Sequence, residues 1–175
     1  MNTIESIITR KSTRAYKSEQ ISNSDLETIL QAGMAAPVGS GAYDTLHITV
    51  VQNQEFFSKI NAAVTDMIFK MLGKKMNKNF GAPTMIFVSS KSAIMPGLEY
   101  ANAACILENM AIAATSLGID NIIWGGAAAA VAQNDELLKA IKIPDGYKPV
   151  LCISLGYAKE TESPKKHEIS VNKVI

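Results

Sequence analysis

The sequence lacks an excess of charge of either sign. Its 175 residues include 17 lysines and arginines against 16 aspartates and glutamates, so the formal net charge is +1. A chain this close to neutrality has no overall field that would attract a nucleic acid or an acidic membrane surface. We therefore expect neither kind of partner, and any anion-binding site must be local.

Cysteine and histidine are scarce. The two cysteines, Cys105 and Cys152, lie far apart, and the two histidines, His47 and His167, form no cluster. This spacing favours neither a disulfide framework nor a metal site. We expect both cysteines to pack as small buried side chains in a reducing cytoplasm, and both histidines to be structural or solvated.

Long apolar runs are also missing. Glu5 precedes any apolar run at the start of the sequence, so we expect no secretory signal peptide and a cytoplasmic protein. The longest stretch without Asp, Glu, Lys or Arg covers residues 28–43, and it contains Pro37 and three glycines. No segment is therefore expected to span a membrane.

Several familiar chemical motifs are absent. No Gly-x-Gly-x-x-Gly turn and no Walker loop occurs, so the usual dinucleotide and triphosphate cradles are not expected. No Ser/His/Asp order and no pair of carboxylates stands out either. These absences argue against a protein nucleophile and leave room for an enzyme whose cofactor carries the chemistry.

The composition that remains is that of a folded globular chain, with 47% hydrophobic and 19% charged residues. Its length predicts a single domain over residues 1–175. Hydrophobic periodicity predicts helices and strands in turn, and by itself this alternation favours a parallel α/β arrangement with helices over a central sheet. The predicted helices cover residues 3–9, 24–36, 56–71, 98–118 and 127–141, and the predicted strands cover residues 46–52, 83–90, 119–124 and 150–157.

The predicted helix at 98–118 is rich in alanine and apolar on almost every side. A helix of this kind needs packing partners on all of its faces. In so short a chain these partners need not all come from one subunit, so the pattern indicates the core of a homodimer.

A short basic cluster follows the first predicted helix. Three cations and a hydroxyl stand together here: Arg10, Lys11, Ser12 and Arg14. Guanidinium groups bind phosphate oxygens bidentately, so the combination suits a phosphate, although a solvated surface is the alternative for so short a cluster. The tail lysines, Lys165 and Lys166, are candidates to close the same site.

Short motifs run along most of the chain in a particular order. They are Arg-x-Ser-x-Arg at 10–14 with Tyr16, Ala35-Ala36-Pro37, Thr49-Val50-Val51, Asn109-Met110, Leu117-Gly118-Ile119, Trp124-Gly125-Gly126, and Val150 to Gly156 before a lysine-containing tail. In order and spacing they resemble the FMN-dependent nitroreductase family, and the chain looks like a short member. The resemblance implies an α+β fold with a mainly antiparallel sheet, an intertwined homodimer, and one FMN in each of two interface sites.

The resemblance also implies roles for individual residues. Arg10, Ser12 and Arg14 look like contacts to the FMN phosphate and ribityl chain, Lys11 looks like a contact to the ring edge, and one of the tail lysines would complete phosphate binding. Pro37, Val38 and Gly39 resemble a loop that the partner subunit lays against the isoalloxazine ring. Gly125 and Gly126 match a turn whose backbone amides face the ring near N5, where the absence of a β-carbon permits close approach.

The loop after Pro37 departs from the family pattern. Where many members have a serine, an asparagine and a Gln-Pro-Trp run, this chain has Val38 and then Gly41, Tyr43, Asp44 and Thr45. We therefore expect this loop to contact the ring through its backbone, if at all, and the substrate pocket to be shaped differently. The helices that cover the flavin in larger members are expected to be absent.

The function implied by the resemblance is hydride transfer from NADH or NADPH, through FMN, to a nitroaromatic, quinone or similar flat acceptor in a ping-pong cycle, with no catalytic side chain assigned. The alternatives are a specialised flavin enzyme of the same fold, which fragments flavin or removes halogen reductively, a non-catalytic flavin-binding protein, and a small anion-binding regulatory domain.

Trp124 is expected either in the core or stacked near the ring, and Tyr16 and Tyr43 either in a pocket or in packing.

Overall fold

Helices and strands alternate along the computed structural model, which describes residues 2–74, 80–93, 95–160, 163–164 and 167–174. The helices are α1 (Thr3–Thr9), α2 (Asn23–Met34), α3 (Gln54–Leu72), α4 (Leu98–Ser116), α5 (Gly125–Ala132) and α6 (Asp135–Ala140). The strands are β1 (Leu46–Val51), β2 (Thr84–Ser90), β3 (Asp120–Trp124) and β4 (Lys148–Gly156). Each predicted strand is confirmed to within about two residues.

Side-chain caps set where the helices begin. The side chain of Ser22 accepts a hydrogen bond from the Asp25 N–H at the start of α2, and the side chain of Asn2 accepts one from the Glu5 N–H at the start of α1. The single helix predicted over 127–141 is wrong, because two helices occupy this region. The Asn134 side chain accepts from the Leu137 N–H at 3.0 Å, so it starts a new helix where the pattern predicts a continuous one.

The described strands form one four-stranded sheet in the order β1-β2-β4-β3. Every neighbouring pair is antiparallel, which confirms the sheet that the family resemblance implies. The parallel α/β arrangement favoured by simple alternation is wrong. Val51 at the end of β1 lies opposite Met85 near the start of β2, so the connection through α3 returns to the end of the sheet that it left.

Two layers of helices cover the sheet. Ile86, Val88 and Ile153 face the layer formed by α2 and α4. Met85, Phe87 and Cys152 point to the other face and pack against α3, α5 and α6. Because successive side chains of a strand point to opposite faces, the central strands β2 and β4 are apolar on both sides.

The segment after α1 crosses the end of the sheet and ties the two ends of the chain together. The Thr13 N–H donates to the Asn121 carbonyl at 2.9 Å, and the Lys17 N–H donates to the Tyr157 carbonyl at 2.8 Å. Helix α1 packs against α4. The basic cluster is therefore held beside β3, a strand at the edge of the sheet.

The two cysteines differ in their surroundings. Cys152 is buried as predicted, and burial raises the pKa of its thiol. Cys105 is exposed on α4, so the expectation that it is buried is wrong for the single chain. Its neighbours Ala101 and Ala104 are also exposed, which leaves one apolar face of α4 without a covering element from the described part of the same chain. None of the helices described is long and apolar enough to cross a membrane.

Candidate functional site

A cleft of about 400 Å³ lies beside the end of α1. The structure brings all four members of the predicted basic cluster into it. The cleft is lined by Arg10, Lys11, Ser12 and Arg14, with Ile7, Ile8, Ser163 and His167. The cluster is thus a concave surface rather than a set of separately solvated side chains.

The local backbone explains this convergence. Helix α1 stops at Thr9, and Arg10 has a ψ of 132°, so the chain turns from helical to extended conformation at this residue. Ser12 then forms a parallel bridge with Asn121 of β3. The Arg14 Nη1 donates to the Ser12 carbonyl at 3.1 Å, which folds the Arg14 side chain back along its own segment.

Carboxylates from neighbouring elements lie close to two of the cations. Arg10 Nε is 3.8 Å from Glu108 Oε1 on α4, and Lys11 Nζ is 3.7 Å from Asp120 Oδ1 on β3. Both distances exceed those of close charge-assisted hydrogen bonds, so these are loose pairs. Among the described residues, three cations line the cleft and two carboxylates pair with them, which leaves one more cation than carboxylate.

Asp120 anchors the segment, a role that sequence reasoning missed. Its Oδ1 accepts from the Thr13 hydroxyl at 3.2 Å, and its Oδ2 accepts from the Ala158 N–H at 3.0 Å. One carboxylate therefore joins the basic segment, the first residue of β3 and the chain after β4. A lone aspartate at a strand start carries no motif, so no sequence signal marks it.

Gly125 and Gly126 begin helix α5 instead of forming the predicted turn. Trp124 precedes them in extended conformation, and no side-chain hydrogen bond caps the helix. A β-carbon on Gly125 would lie 3.5 Å from Leu151, and one on Gly126 would lie 3.7 Å from Trp124, which are ordinary contacts. Packing within the chain therefore does not require glycine at either position, and glycine leaves these backbone N–H groups open to a ligand.

Strand β3 connects this helix start to the cleft. Ser12 bridges to Asn121 near the beginning of β3, and Gly125 follows its last residue. Four residues at the rise of a strand correspond to about 13 Å. A cation-lined cleft and a set of backbone donors thus lie towards opposite ends of one edge strand.

Trp124 itself belongs to the packing of the sheet. Its Nε1 donates to the Ser154 Oγ at 3.0 Å, and its ring lies 4.9 Å from that of Phe80. Of the two alternatives for this residue, the structure favours the core.

Tyr16 and Tyr43 lie in different surroundings. Tyr16 is 2% exposed and donates to the Ser154 carbonyl at 3.4 Å, so it is a core residue. Burial raises the pKa of Tyr16, and the charge of Asp120 adds to this effect while Arg14 opposes it. Tyr43 is exposed, and its hydroxyl donates to the Ala36 carbonyl at 3.2 Å.

The loop of Pro37, Val38 and Gly39 does not line this cleft. It lies against the first part of α4, where the Gly39 N–H donates to Asn102 Oδ1 at 2.9 Å. A β-carbon on Gly39 would meet Leu98 Cδ1 at 2.8 Å, so a larger residue here would require the Leu98 side chain to shift.

The far end of the chain reaches the cleft through a residue that was expected to be solvated or structural. His167 is one of the lining residues. The tail lysines, Lys165 and Lys166, lie outside the described residues. Within the part of the chain that the structure describes, no group of His, Cys, Asp and Glu side chains is arranged to hold a metal ion.

The fold and the cleft define an α+β protein with a cation-lined site on the edge strand of an antiparallel sheet. The chain belongs to the nitroreductase family, whose family model matches residues 7–157. It is 32% identical, over 90% of its length and 86% of the relative's, to an Archaeoglobus fulgidus protein that carries the name NADH dehydrogenase/NAD(P)H nitroreductase.

Two solved structures of nitroreductases with bound FMN are also similar. The Bacteroides fragilis protein superimposes with a TM-score of 0.84 at 29% identity, over 100% of this chain and 98% of that one. The Desulfitobacterium hafniense protein gives a TM-score of 0.86 at 28% identity, over 99% of this chain and 100% of that one. These two relatives match this chain over nearly their whole lengths.

Proposed function

We propose that this chain is an FMN-dependent oxidoreductase that transfers a hydride from NADH or NADPH to a nitroaromatic, quinone or similar flat acceptor in a ping-pong cycle. The observation that carries the proposal is the pair of features along β3, a cation-lined cleft and an uncapped helix start with two glycines. Family membership and the FMN bound in the two solved relatives support it.

The residues present fit the two chemically different ends of FMN. The phosphate would be held by Arg10, Ser12 and Arg14, because this cleft combines excess positive charge with a hydroxyl donor. Lys11 would contact the ring edge. Lys165 or Lys166 would complete the phosphate site as the sequence predicts.

The ring would lie at Gly125 and Gly126. Their backbone N–H groups begin a helix, so they present donors together with the positive end of the helix dipole. Such donors stabilise negative charge on a ligand that accepts electrons. When bound, FMN supplies the redox chemistry, because its ring accepts a hydride from the nicotinamide and passes it on.

We also propose that the whole chain, residues 1–175, forms one FMN-binding domain and that two chains form a homodimer. Ile4 and Ile8 on α1 are exposed, and so are Ile169 and Val171 in the tail. Together with the open face of α4, these side chains provide an apolar surface for a second subunit. In the dimer, Pro37, Val38 and Gly39 of one subunit would lie against the ring held by the other.

Purification and flavin titration test the proposal. The protein is expected to be yellow or to take up added FMN, to consume NADH or NADPH with a nitroaromatic or quinone, and to give parallel double-reciprocal plots. A colourless protein that takes up no FMN would overturn the proposal. Bound FMN that NAD(P)H reduces once, and that no acceptor reoxidises, would instead favour a non-catalytic flavin-binding protein.

A further inference from the structure

One residue of the cleft comes from the opposite end of the chain and differs in chemistry from the others. His167 lines the same cleft as Arg10 and Arg14, and like the other described residues of the tail it is exposed. A cleft shared by two arginines, a lysine, a serine and a histidine presents donors from two distant segments to one bound anion.

Histidine is the member of this set whose charge changes within the physiological range. An imidazole side chain gains its proton between about pH 8 and pH 5. Lysine and arginine remain cationic over this range, and carboxylates remain ionised. Among the described residues, the cations that line the cleft are Arg10, Lys11 and Arg14. Glu108 from α4 pairs with Arg10, and Asp120 from β3 pairs with Lys11. The charged residues adjacent to His167 in the sequence are Lys165, Lys166 and Glu168.

We infer that His167 is a ligand of the FMN phosphate and that its protonation strengthens cofactor binding as the pH falls through neutrality. The inference rests on the proposed function, because it concerns the same site. A protonated imidazole adds a positive charge and a charge-assisted donor to the cleft, whereas a neutral imidazole adds a weaker donor.

The phosphate group itself titrates in the same range and in the opposite sense. A phosphate monoester loses its second proton near pH 6, so it carries less negative charge in acid. The pH dependence of the wild-type chain alone therefore mixes two effects. Comparison with variants of fixed charge at position 167 separates them, because the titration of free FMN is common to every protein and cancels in the ratio of two affinities.

The test measures the Kd of FMN by flavin fluorescence from about pH 5.5 to 8.5 for wild type, His167→Gln and His167→Arg. The His167→Gln variant is expected to bind FMN about tenfold more weakly than wild type at the acid end and nearly equally at the alkaline end. His167→Arg is expected to bind FMN more tightly than His167→Gln over the whole range, including the alkaline end where wild type and His167→Gln converge. Riboflavin, which lacks the phosphate, is expected to bind all three proteins alike.

Proton NMR gives a readout that does not depend on turnover. The sequence has two histidines, so two sets of imidazole resonances are expected, and His167→Gln assigns them. Saturating FMN is expected to shift the imidazole resonances of His167 and to leave those of His47 in place, since only His167 lines the cleft. Glu168→Gln is the matched control, because Glu168 is an exposed charged neighbour that does not line the cleft.

The outcomes separate the two proposals. If FMN binds but the ratio of the His167→Gln affinity to the wild-type affinity does not change with pH, or the His167 resonances do not respond to FMN, this inference is overturned and the proposed function stands. If FMN binds none of the proteins at any pH, the proposed function fails and this inference fails with it.

Discussion

A bound ligand could replace the hydrogen bond that the Arg14 side chain makes to its own segment. The Arg14 guanidinium donates to the Ser12 carbonyl within the same segment, and the side chain is otherwise exposed along the cleft. A hydrogen bond to a charged group contributes about 1.5–3 kcal/mol. The present acceptor is a neutral carbonyl, whereas a phosphate is an anion that a guanidinium can bind bidentately, so contact with a phosphate would be worth more.

Replacing Arg14 should separate phosphate binding from ring binding. Arg14→Ala is expected to weaken FMN binding by about 10- to 100-fold and to leave riboflavin binding unchanged. Flavin fluorescence titration measures both affinities. Lys17→Ala is the matched control, because Lys17 is an exposed cation of the same segment that does not line the cleft. Equal losses for FMN and riboflavin would contradict the assignment of Arg14 to the phosphate.

Tyr16 should make the fold sensitive to alkali. Burial raises the pKa of Tyr16 above its ordinary value near 10, so the folded chain keeps a proton that the unfolded chain releases. The free energy of unfolding should therefore fall as the pH rises above about 10. Tyr16→Phe should lose less stability over this range, while at neutral pH it should cost no more than about 1 kcal/mol.

Urea unfolding between about pH 8 and 10.5 measures this difference. Burial also raises the pKa of the Cys152 thiol, but that thiol is present in both proteins and cancels in the comparison. Identical pH dependence of wild type and Tyr16→Phe would rule out the effect.

Residue types alone made Arg10, Lys11, Ser12 and Arg14 a candidate phosphate site with a solvated surface as the alternative, and the family resemblance favoured the site. Asp120 and His167 were not predicted to contribute. Asp120 reaches the segment through a contact that spans 107 positions, and His167 enters through the path of the tail. Contacts of this range depend on the assembled fold and leave no pattern in a local stretch of sequence.

At the scale of the element, a substitution at the start of α5 is expected to affect ligand binding and fold stability in opposite directions. Alanine is preferred over glycine in a helix by about 1 kcal/mol, and a β-carbon on Gly126 would make an ordinary contact with Trp124. If the backbone here faces a flat ring, the same β-carbon would hold that ring away.

Gly126→Ala should accordingly be as stable as the wild type or up to about 1 kcal/mol more stable, and yet bind FMN and riboflavin more weakly. Thermal unfolding and flavin titration measure the two effects. Gly33→Ala is the contrasting control. Its β-carbon would overlap the buried Met110 side chain, so it should lose stability and, where it folds, keep its flavin affinity. A Gly126→Ala protein with unchanged flavin affinity would place the ring elsewhere.

The directions of the strands and the break between α5 and α6 could not be predicted from apolar periodicity, for physical reasons. The periods of apolar residues locate the helices and strands, but the direction of each strand depends on the end at which the chain re-enters the sheet. Alternation alone led to parallel strands, and the ordered motifs that resemble the family led to the antiparallel sheet. Similarly, Asn134 is an unremarkable polar residue in a helical pattern until its side chain caps the next helix.

At the scale of the whole molecule, the open face of α4 is the feature that favours the proposed homodimer. Ala104 is exposed there, although much of the opposite face is fully buried in the core. The sequence predicted this need from the apolar character of 98–118 on almost every side. It did not predict which face the chain itself would cover.

A charge on this face should divide the proposed dimer. Sedimentation velocity is expected to show a dimer for wild type and monomers for Ala104→Glu, with loss of flavin binding in the monomers because the proposed site is shared between subunits. Ala62→Glu is the matched control, since Ala62 is an exposed alanine on another helix, α3. Circular dichroism checks that both variants fold. A dimeric Ala104→Glu protein with normal flavin affinity would move the interface away from α4.

The tie between the two ends of the chain has a consequence during protein synthesis. Tyr16 and the Ser154 carbonyl to which it donates are separated by 138 positions, and at 5–20 residues per second the ribosome takes about 7–30 s to make that interval. Throughout this time the basic segment lacks the strands that hold it in place in the folded chain. The first part of the cofactor site to be translated is therefore among the last to be assembled, and the nascent chain should acquire its flavin only after translation of β4.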